Sequence, residues 1–234
     1  MIILSKKRFG IITTILLISL FVFVFQVASS KQTVQTVSLP VSNKVIVLDA
    51  GHGKPDEGAQ SSNGTTEAET NLKITLKVQS LLEQSGATVV LTRSDENAIY
   101  DLDKTTLRQK KISDIHNRVK IGNESSADIF VSIHLNKISQ QQYYGWQCFY
   151  KQNDEKSTAL AKSLQENLND SIQKENKRVS MKLDNVYIIK HVEIPISIVE
   201  CGFLSNHEEE KQLQQAEYQT KLAWGIYNGI MEYF

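Results

Sequence analysis

The sequence predicts an α/β fold: a single domain with a twisted, mostly parallel sheet, helices on both faces, and an N-terminal membrane or signal helix ahead of it. Three observations predict it. Short β-branched runs alternate with segments of helical periodicity. Several of those runs are apolar throughout, as strands buried on both faces are. Three of them stop at residues with reactive side chains, and open α/β sheets bind ligands at the carboxyl ends of their strands.

The N-terminal segment comes first. After Lys6, Lys7 and Arg8 no charged residue occurs from Phe9 to Ala28. Such a helix spans about 30 Å, the thickness of a hydrocarbon layer. The basic residues keep that end in the cytoplasm, so the body is exported. Residues 1–28 are therefore either a signal peptide, with Val27-Ala28-Ser29 as a small-residue cleavage site, or a retained membrane anchor. Residues 29–43 are polar and rich in Ser and Thr, which reads as a linker. The folded body is then 44–234.

Within the body, Lys44–Asp49 is a β-branched run that ends just before a glycine-rich turn. Thr88–Thr92 and Asp128–Ile133 are similar, and Gly145–Tyr150, Val186–Lys190 and Ile196–Val199 are further strands. Residues 72–78 alternate as a strand would, yet Ile74, Val78, Leu81 and Leu82 fit a helix. Its length, and Gly86 as a stop, favour a helix beginning near 68. Ile112, Ile115 and Val119 place a helix over 107–121. Ala161, Leu164, Leu168 and Ile172 place one over 157–173 with Ser157 as N-cap, and Leu222, Ile226 and Ile230 place one at the C-terminus.

Composition sets the outer limits. Of the 234 residues 41% are apolar and 22% charged, which is ordinary for a globular domain. Basic and acidic residues number 26 each, so there is no footprint for nucleic acid. Two cysteines exclude a disulfide scaffold.

The chemistry sits at three strand ends. The first strand runs into Asp49-Ala50-Gly51-His52-Gly53, the third into His134-Leu135-Asn136 and the last into Glu200-Cys201-Gly202. His52, His134 and Glu200 therefore share the ligand edge of the sheet. Two histidines point to a metal. A catalytic zinc takes three protein ligands and keeps one position open. Glu67 and Glu69 are the candidates for the third ligand. Both open a helix, where a carboxylate is also comfortable without any metal, and spacing does not choose between them. His116 and His207 read as surface residues, and His191 is a lesser candidate for the cleft. Cys148 reads as core packing. Cys201 has no histidine tied to it for thiol catalysis, and a Cys148–Cys201 disulfide is an open alternative. Glu208, Glu209 and Glu210 read as the solvated start of a helix.

The segments VIVLDAGHG, TEAETNLK, ADIFVSIHLN and PISIVECGFLSN occur in that order across 44–234. Together they resemble the zinc-dependent N-acetylmuramoyl-L-alanine amidases of the amidase-3 family. The chain's length and single apolar segment look most like the germination-specific type of endospore-forming bacteria. The resemblance implies Zn2+ held by His52, Glu67 and His134, with Glu200 as the catalytic acid–base. Lys54 stands where the family often has glycine, and Ala50 where proline is frequent; neither is a proposed ligand.

The implied reaction is hydrolysis of the amide between N-acetylmuramic acid and L-alanine. Zinc would polarise the carbonyl and acidify water, and Glu200 would carry the proton to the leaving amine. The implied partners are the peptidoglycan glycan strand and stem peptide, with the membrane reached through the N-terminal helix. For the germination-specific type the implied setting is extracytoplasmic, at the spore cortex. Stem-free muramic acid there goes on to muramic-δ-lactam, with a polysaccharide deacetylase acting in the same pathway. Two other functions compete. A zinc carboxypeptidase on stem peptides calls for a basic clamp that the sequence does not display. A non-catalytic wall-binding regulator would lack one of the four site residues.

Overall fold

The computed structural model describes residues 6–28 and 38–234; the cleavage point at Ser29 and linker residues 29–37 lie outside the described residues. The chain divides into two units, the second spanning Leu39–Phe234. The described part of the first is helix α1 (Lys6–Ala28). Its 19-residue run Lys7–Phe25 is long and apolar enough to cross a membrane.

The second unit is the expected α/β domain. Its strands are β1 (Val45–Ala50), β2 (Thr88–Leu91), β3 (Ile129–Asn136), β4 (Gln147–Lys151), β5 (Met181–Leu183) and β6 (Ile196–Phe203). They form one sheet in the order β2-β1-β3-β6-β4-β5. β1, β2, β3 and β6 are parallel, whereas β4 runs against β6 and β5 runs with β4. The helices are α2 (Glu67–Gln84), α3 (Leu107–Glu124), α4 (Glu155–Ile172), α5 (Tyr187–His191), α6 (His207–Leu213) and α7 (Ala216–Tyr233).

Side-chain alternation along the central strands builds two cores. Ile46 and Leu48 of β1, Ile129, Val131 and Ile133 of β3, and Val199 of β6 face α2, α4 and α7. Val47, Phe130, Ile196 and Ile198 face the other way, toward α3 and α5. On that second face each central row turns polar at its carboxyl end. Asp49 follows Val47, Ser132 and His134 follow Phe130, and Glu200 follows Ile198. The period of two thus carries the functional groups out of the smaller core and into the cleft above it.

Local chemistry explains the elements the site needs. α2 starts where Thr66, in extended conformation, accepts from Glu69 N, which makes Glu67 the first helical residue. It stops at Ser85, followed by Gly86 at φ 86°. Ile74, Val78 and Leu82 are buried on one side, so the ambiguous segment is helical as expected.

Other expectations are corrected. Val186–Lys190 is not a strand, because Tyr187–His191 form α5. Adjacent Ile188 and Ile189 are both buried in the smaller core, and the position beside β4 is filled by Met181–Leu183. A short apolar run has no period that separates strand from helix. Ser157 does not cap α4; Asp154 does, and buried Ser157 Oγ accepts from Ile196 N instead. Ile112 is 46% exposed and lies off the core stripe of α3. Glu208–Glu210 do open α6, but Glu209 and Glu210 are buried rather than solvated. Glu209 accepts from Gly145 N and Phe203 N, and Glu210 from Ser61, Asn63 and Thr65. Those loops supply the donors that make burial of the two carboxylates tolerable.

α4 and α7 cross at close range through glycine. A Cβ on Gly229 would lie 2.7 Å from Leu164 Cα, and one on Gly225 would lie 2.9 Å from Leu168 Cα. Both obstacles are backbone and cannot rotate away. Gly229→Ala is expected to force the helices apart at a cost of about 1–3 kcal/mol, read as a lowered Tm with the circular dichroism spectrum unchanged.

Candidate active site

The chain passes from β1 to β2 on one side, then back to β3 on the other side of β1. The crevice at such a reversal lies outside the carboxyl ends of the strands. His52 follows β1 there, and His134 lies near the carboxyl end of β3. Gly51 N donates to Ile133 O at 3.0 Å and holds the two strand ends together. His52 then takes φ 62°, a left-handed conformation that turns its ring inward. Glycine is required on both sides of this turn. A Cβ on Gly51 would sit 2.3 Å from the His134 ring, and one on Gly58 would sit 2.6 Å from Glu67 Oε2.

These elements bring three of the sequence candidates together. Ligand atoms of His52, Glu67 and His134 all lie within 4.8 Å of one another. Glu67 Oε1 is 3.2 Å from His52 Nε2 and 2.9 Å from His134 Nδ1. It also accepts from Leu135 N, while Oε2 accepts from Ala59 N. Burial alone would raise the pKa of Glu67, but the two imidazoles outweigh it and hold the carboxyl well below its usual range. Burial likewise disfavours charge on His52, but hydrogen bonds to Asp56 and Glu67 prevail and lift its pKa to about 9. Glu69 points away, exposed, and pairs with Lys73 at 2.6 Å.

Glu200 stands directly beside this cluster. It is the register partner of His134 across the β3–β6 pair. Its side chain opens on a cleft of about 360 Å³ that His52 and His134 also line. Its Oε2 is buried with no hydrogen-bond partner among the described residues. Burial raises its pKa to about 7, so it can hold or release a proton near neutrality. Ile115, Leu183, Val186, Ile188 and Ile198 give the cleft an apolar wall. The lysine and arginine that line it, Lys111 and Arg118, are already paired, Lys111 with Asp56 and Arg118 with Asp49 and Asp114. Neither is free to clamp a terminal carboxylate, which argues against the carboxypeptidase reading.

The remaining histidines stay outside. His116 and His191 are exposed, with His191 stacked on Tyr187 at 3.8 Å, and the His207 side chain is 62% exposed. Cys148 and Cys201 are buried and free, so they form no disulfide. Sequence reasoning missed Asp56, whose Oδ2 is 3.3 Å from His52 Nδ1, and the buried Arg93 and Arg118 below the loop. One signal was available. Asp49 interrupts an otherwise apolar strand, and a carboxylate there demands a cation or several donors.

A His, His, Glu cluster that could hold a metal ion, beside a Glu200 oxygen with no donor among the described residues, at the ligand edge of a mostly parallel sheet, is an arrangement suited to a metal-dependent hydrolase. The family profile described as N-acetylmuramoyl-L-alanine amidase (Amidase_3) matches residues 46–232. The germination-specific N-acetylmuramoyl-L-alanine amidase of Bacillus subtilis is 34% identical over 218 residues, covering 93% of this chain and 91% of its own length. The CwlD amidase of Clostridioides difficile, solved in complex with the GerS lipoprotein, is 45% identical with a TM-score of 0.80, over 82% of this chain and 98% of its own. The catalytic domain of CwlV from Bacillus (Paenibacillus) polymyxa is 33% identical with a TM-score of 0.69, over 81% and 97%. The chain belongs to the N-acetylmuramoyl-L-alanine amidase family. It is a peptidoglycan amidase, and the cell-wall amidases it is similar to act outside the cytoplasm.

The Glu200 carboxyl binds its proton up to about pH 7 in the folded protein, against 4.5 for an ordinary glutamate. Between these values the native state holds more protons than the unfolded one, so stability falls as pH rises. Glu200→Gln removes that dependence. In the metal-free protein the variant should gain on wild type from pH 4.5 upward and level off above pH 7, by on the order of 3 kcal/mol. Urea unfolding at pH 4.5, 6 and 8 measures it; an equal difference at all three would show that the carboxyl titrates normally.

Proposed function

We propose that this amidase is zinc-dependent, that His52, Glu67 and His134 hold the zinc, and that Glu200 is its catalytic acid–base. The observation that carries the reading is the convergence of two imidazoles and one buried carboxylate, supplied by three separate elements, beside a second carboxylate with no partner. The donor set fits zinc, for which two histidines and a glutamate are a common catalytic set. Bound there, zinc supplies Lewis-acid polarisation of the amide carbonyl and lowers the pKa of water.

The chain's own residues do the rest. Asp56 takes the Nδ1–H of His52, which fixes the tautomer and leaves Nε2 free as a ligand. Glu200 takes a proton from the attacking water and passes it to the α-amine of L-alanine as the amide bond breaks. The lactyl carboxyl of N-acetylmuramic acid and a free stem peptide are the products.

Likeness to the germination-specific amidase supports spore cortex peptidoglycan as the substrate, ahead of muramic-δ-lactam formation. In that pathway a deacetylase is a neighbour in the reaction sequence. The partner seen with the C. difficile amidase is a lipoprotein, so a membrane-held lipoprotein is the physical partner proposed for this chain. We assign 1–28 to export or anchoring, 29–43 to the linker and 44–234 to catalysis.

Mass spectrometry of peptidoglycan treated with the purified protein tests the reaction; release of stem peptides with a free L-alanine amine is expected. Glu200→Gln should keep its zinc and lose about 10²–10⁴-fold in turnover. Loss of zinc from that variant would make Glu200 a ligand. Metal analysis should find little zinc in Glu67→Ala and a full complement in Glu69→Ala. The Cys148→Ser, Cys201→Ser double variant should keep its amidase activity, and inactivity in a folded, zinc-loaded sample would implicate a thiol.

A further inference from the structure

Beneath the site lie two arginines that the reaction does not use, Arg93 at 4% and Arg118 at 3% exposure. Their donors converge on the backbone of the turn that carries His52. Arg118 donates to Ala50 O at 2.7 Å and to His52 O at 2.5 Å. Arg93 donates to Ala50 O at 2.8 Å and to Gly51 O at 3.0 Å. Three consecutive carbonyl oxygens thus point at guanidinium groups. The Gly51 oxygen also accepts from Asn71 Nδ2 at 3.2 Å. Arg93 reaches one group further, to Ala68 O at 2.7 Å, the residue next to Glu67 at the start of α2.

Arg93 therefore bonds one segment adjoining His52 and another adjoining Glu67. A guanidinium presents its donors in a rigid fork, so it fixes both the spacing and the angle of what it binds. The left-handed His52 needs such a restraint, since a non-glycine residue at φ 62° is not held there by local preference. The two cations are balanced by Asp49 and Asp114. Asp49 accepts from Arg118, Thr92 and Ser132, and so ties α3, β2 and β3 to β1.

We propose that Arg93 and Arg118 are positioning residues for the metal: they gather the carbonyls of Ala50, Gly51, His52 and Ala68 so that His52 and Glu67 are presented at ligand spacing before any ion binds. This rests on the zinc reading above. Lysine at either position keeps the charge and loses the fork, so the lysine variants separate geometry from electrostatics.

The test measures zinc affinity in the full-length protein by competition with a chromophoric chelator, alongside the visible spectrum of the cobalt-substituted protein and the Tm of the metal-free form. Arg93→Lys should bind zinc about 10–100-fold more weakly and give an altered cobalt spectrum, the usual consequence of losing a group that orients a ligand. Thr92→Val is the control. It strips a hydrogen bond from Asp49 and a long one, at 3.4 Å, from Arg118, but leaves all four carbonyl contacts, so its Tm should fall while its zinc affinity and cobalt spectrum match wild type. If Arg93→Lys does not fold, Asn71→Ala removes one donor from the Gly51 oxygen, and a smaller loss of the same kind is expected. Arg93→Lys, or in its place Asn71→Ala, with zinc affinity within twofold of wild type and an unchanged cobalt spectrum would overturn the proposal. A wild-type protein that binds no zinc would instead overturn the metal reading beneath it.

Discussion

The pairing of β1 with β3 is the constraint on which the site depends. Asp49 lies opposite Ser132 and Ala50 opposite Ile133, and Gly51 N closes the ladder onto Ile133 O. That register brings His52 to the end of one strand just as His134 comes up on the next. It also puts the two on the same face as Glu200, one strand further along. A slip of one residue would send His134 into the larger core and bring Leu135 to the cleft. The buried rows beneath, Val47 with Phe130 and Ile46 with Ile129, make that slip expensive because they would change faces together. The packing of the two cores thus protects the spacing of the site.

The second organising feature is the amount of charge kept out of water on this edge. Glu67, Asp49, Arg93, Arg118, Glu209 and Glu210 are all nearly inaccessible. Each is surrounded by partners, several of them backbone groups of the turns that frame the cleft. The acids of α6 gather the loops at 61–65, 145 and 203, much as the arginines gather 50–52. Irregular backbone around a binding site has few ladder partners of its own, and side chains of opposite polarity take their place. Glu200 is the exception: its buried Oε2 has no donor among the described residues, and the side chain lines the cleft.

Much of this was legible in the sequence. Glu67 stands beside Glu69 as one of two candidates, whereas the sheet, its mostly parallel character and three of the candidate site residues, His52, His134 and Glu200, follow from β-branched runs that end in His or Glu. Those residues are conspicuous because they interrupt an apolar pattern. What stayed hidden has a common physical origin. Arg93 and Arg118 bind backbone carbonyls 42 to 68 residues away, or 25 in the case of Ala68, and a carbonyl has no sequence signature. Val186–Lys190 reads as a strand because its four apolar residues, Val186 to Ile189, carry no period that separates strand from helix, and the occupancy of the neighbouring edge by β5 decides the matter. The choice of Glu67 over Glu69 is a matter of helix phase. Thr66 sets the first turn, and the two glutamates then point to different sides.

The buried cysteines bear on how the chain meets oxidants. Cys148 and Cys201 sit on neighbouring strands, fully covered, and burial pushes both thiols far above the ordinary cysteine range. Exchange with disulfides proceeds through the thiolate. A folded chain of this kind offers almost none of it, and no path by which a disulfide could reach the sulfur. Oxidation is therefore closed off by packing rather than by pairing. The vulnerable interval is the one before collapse of the sheet, when both sulfurs are still open to any oxidant the chain meets.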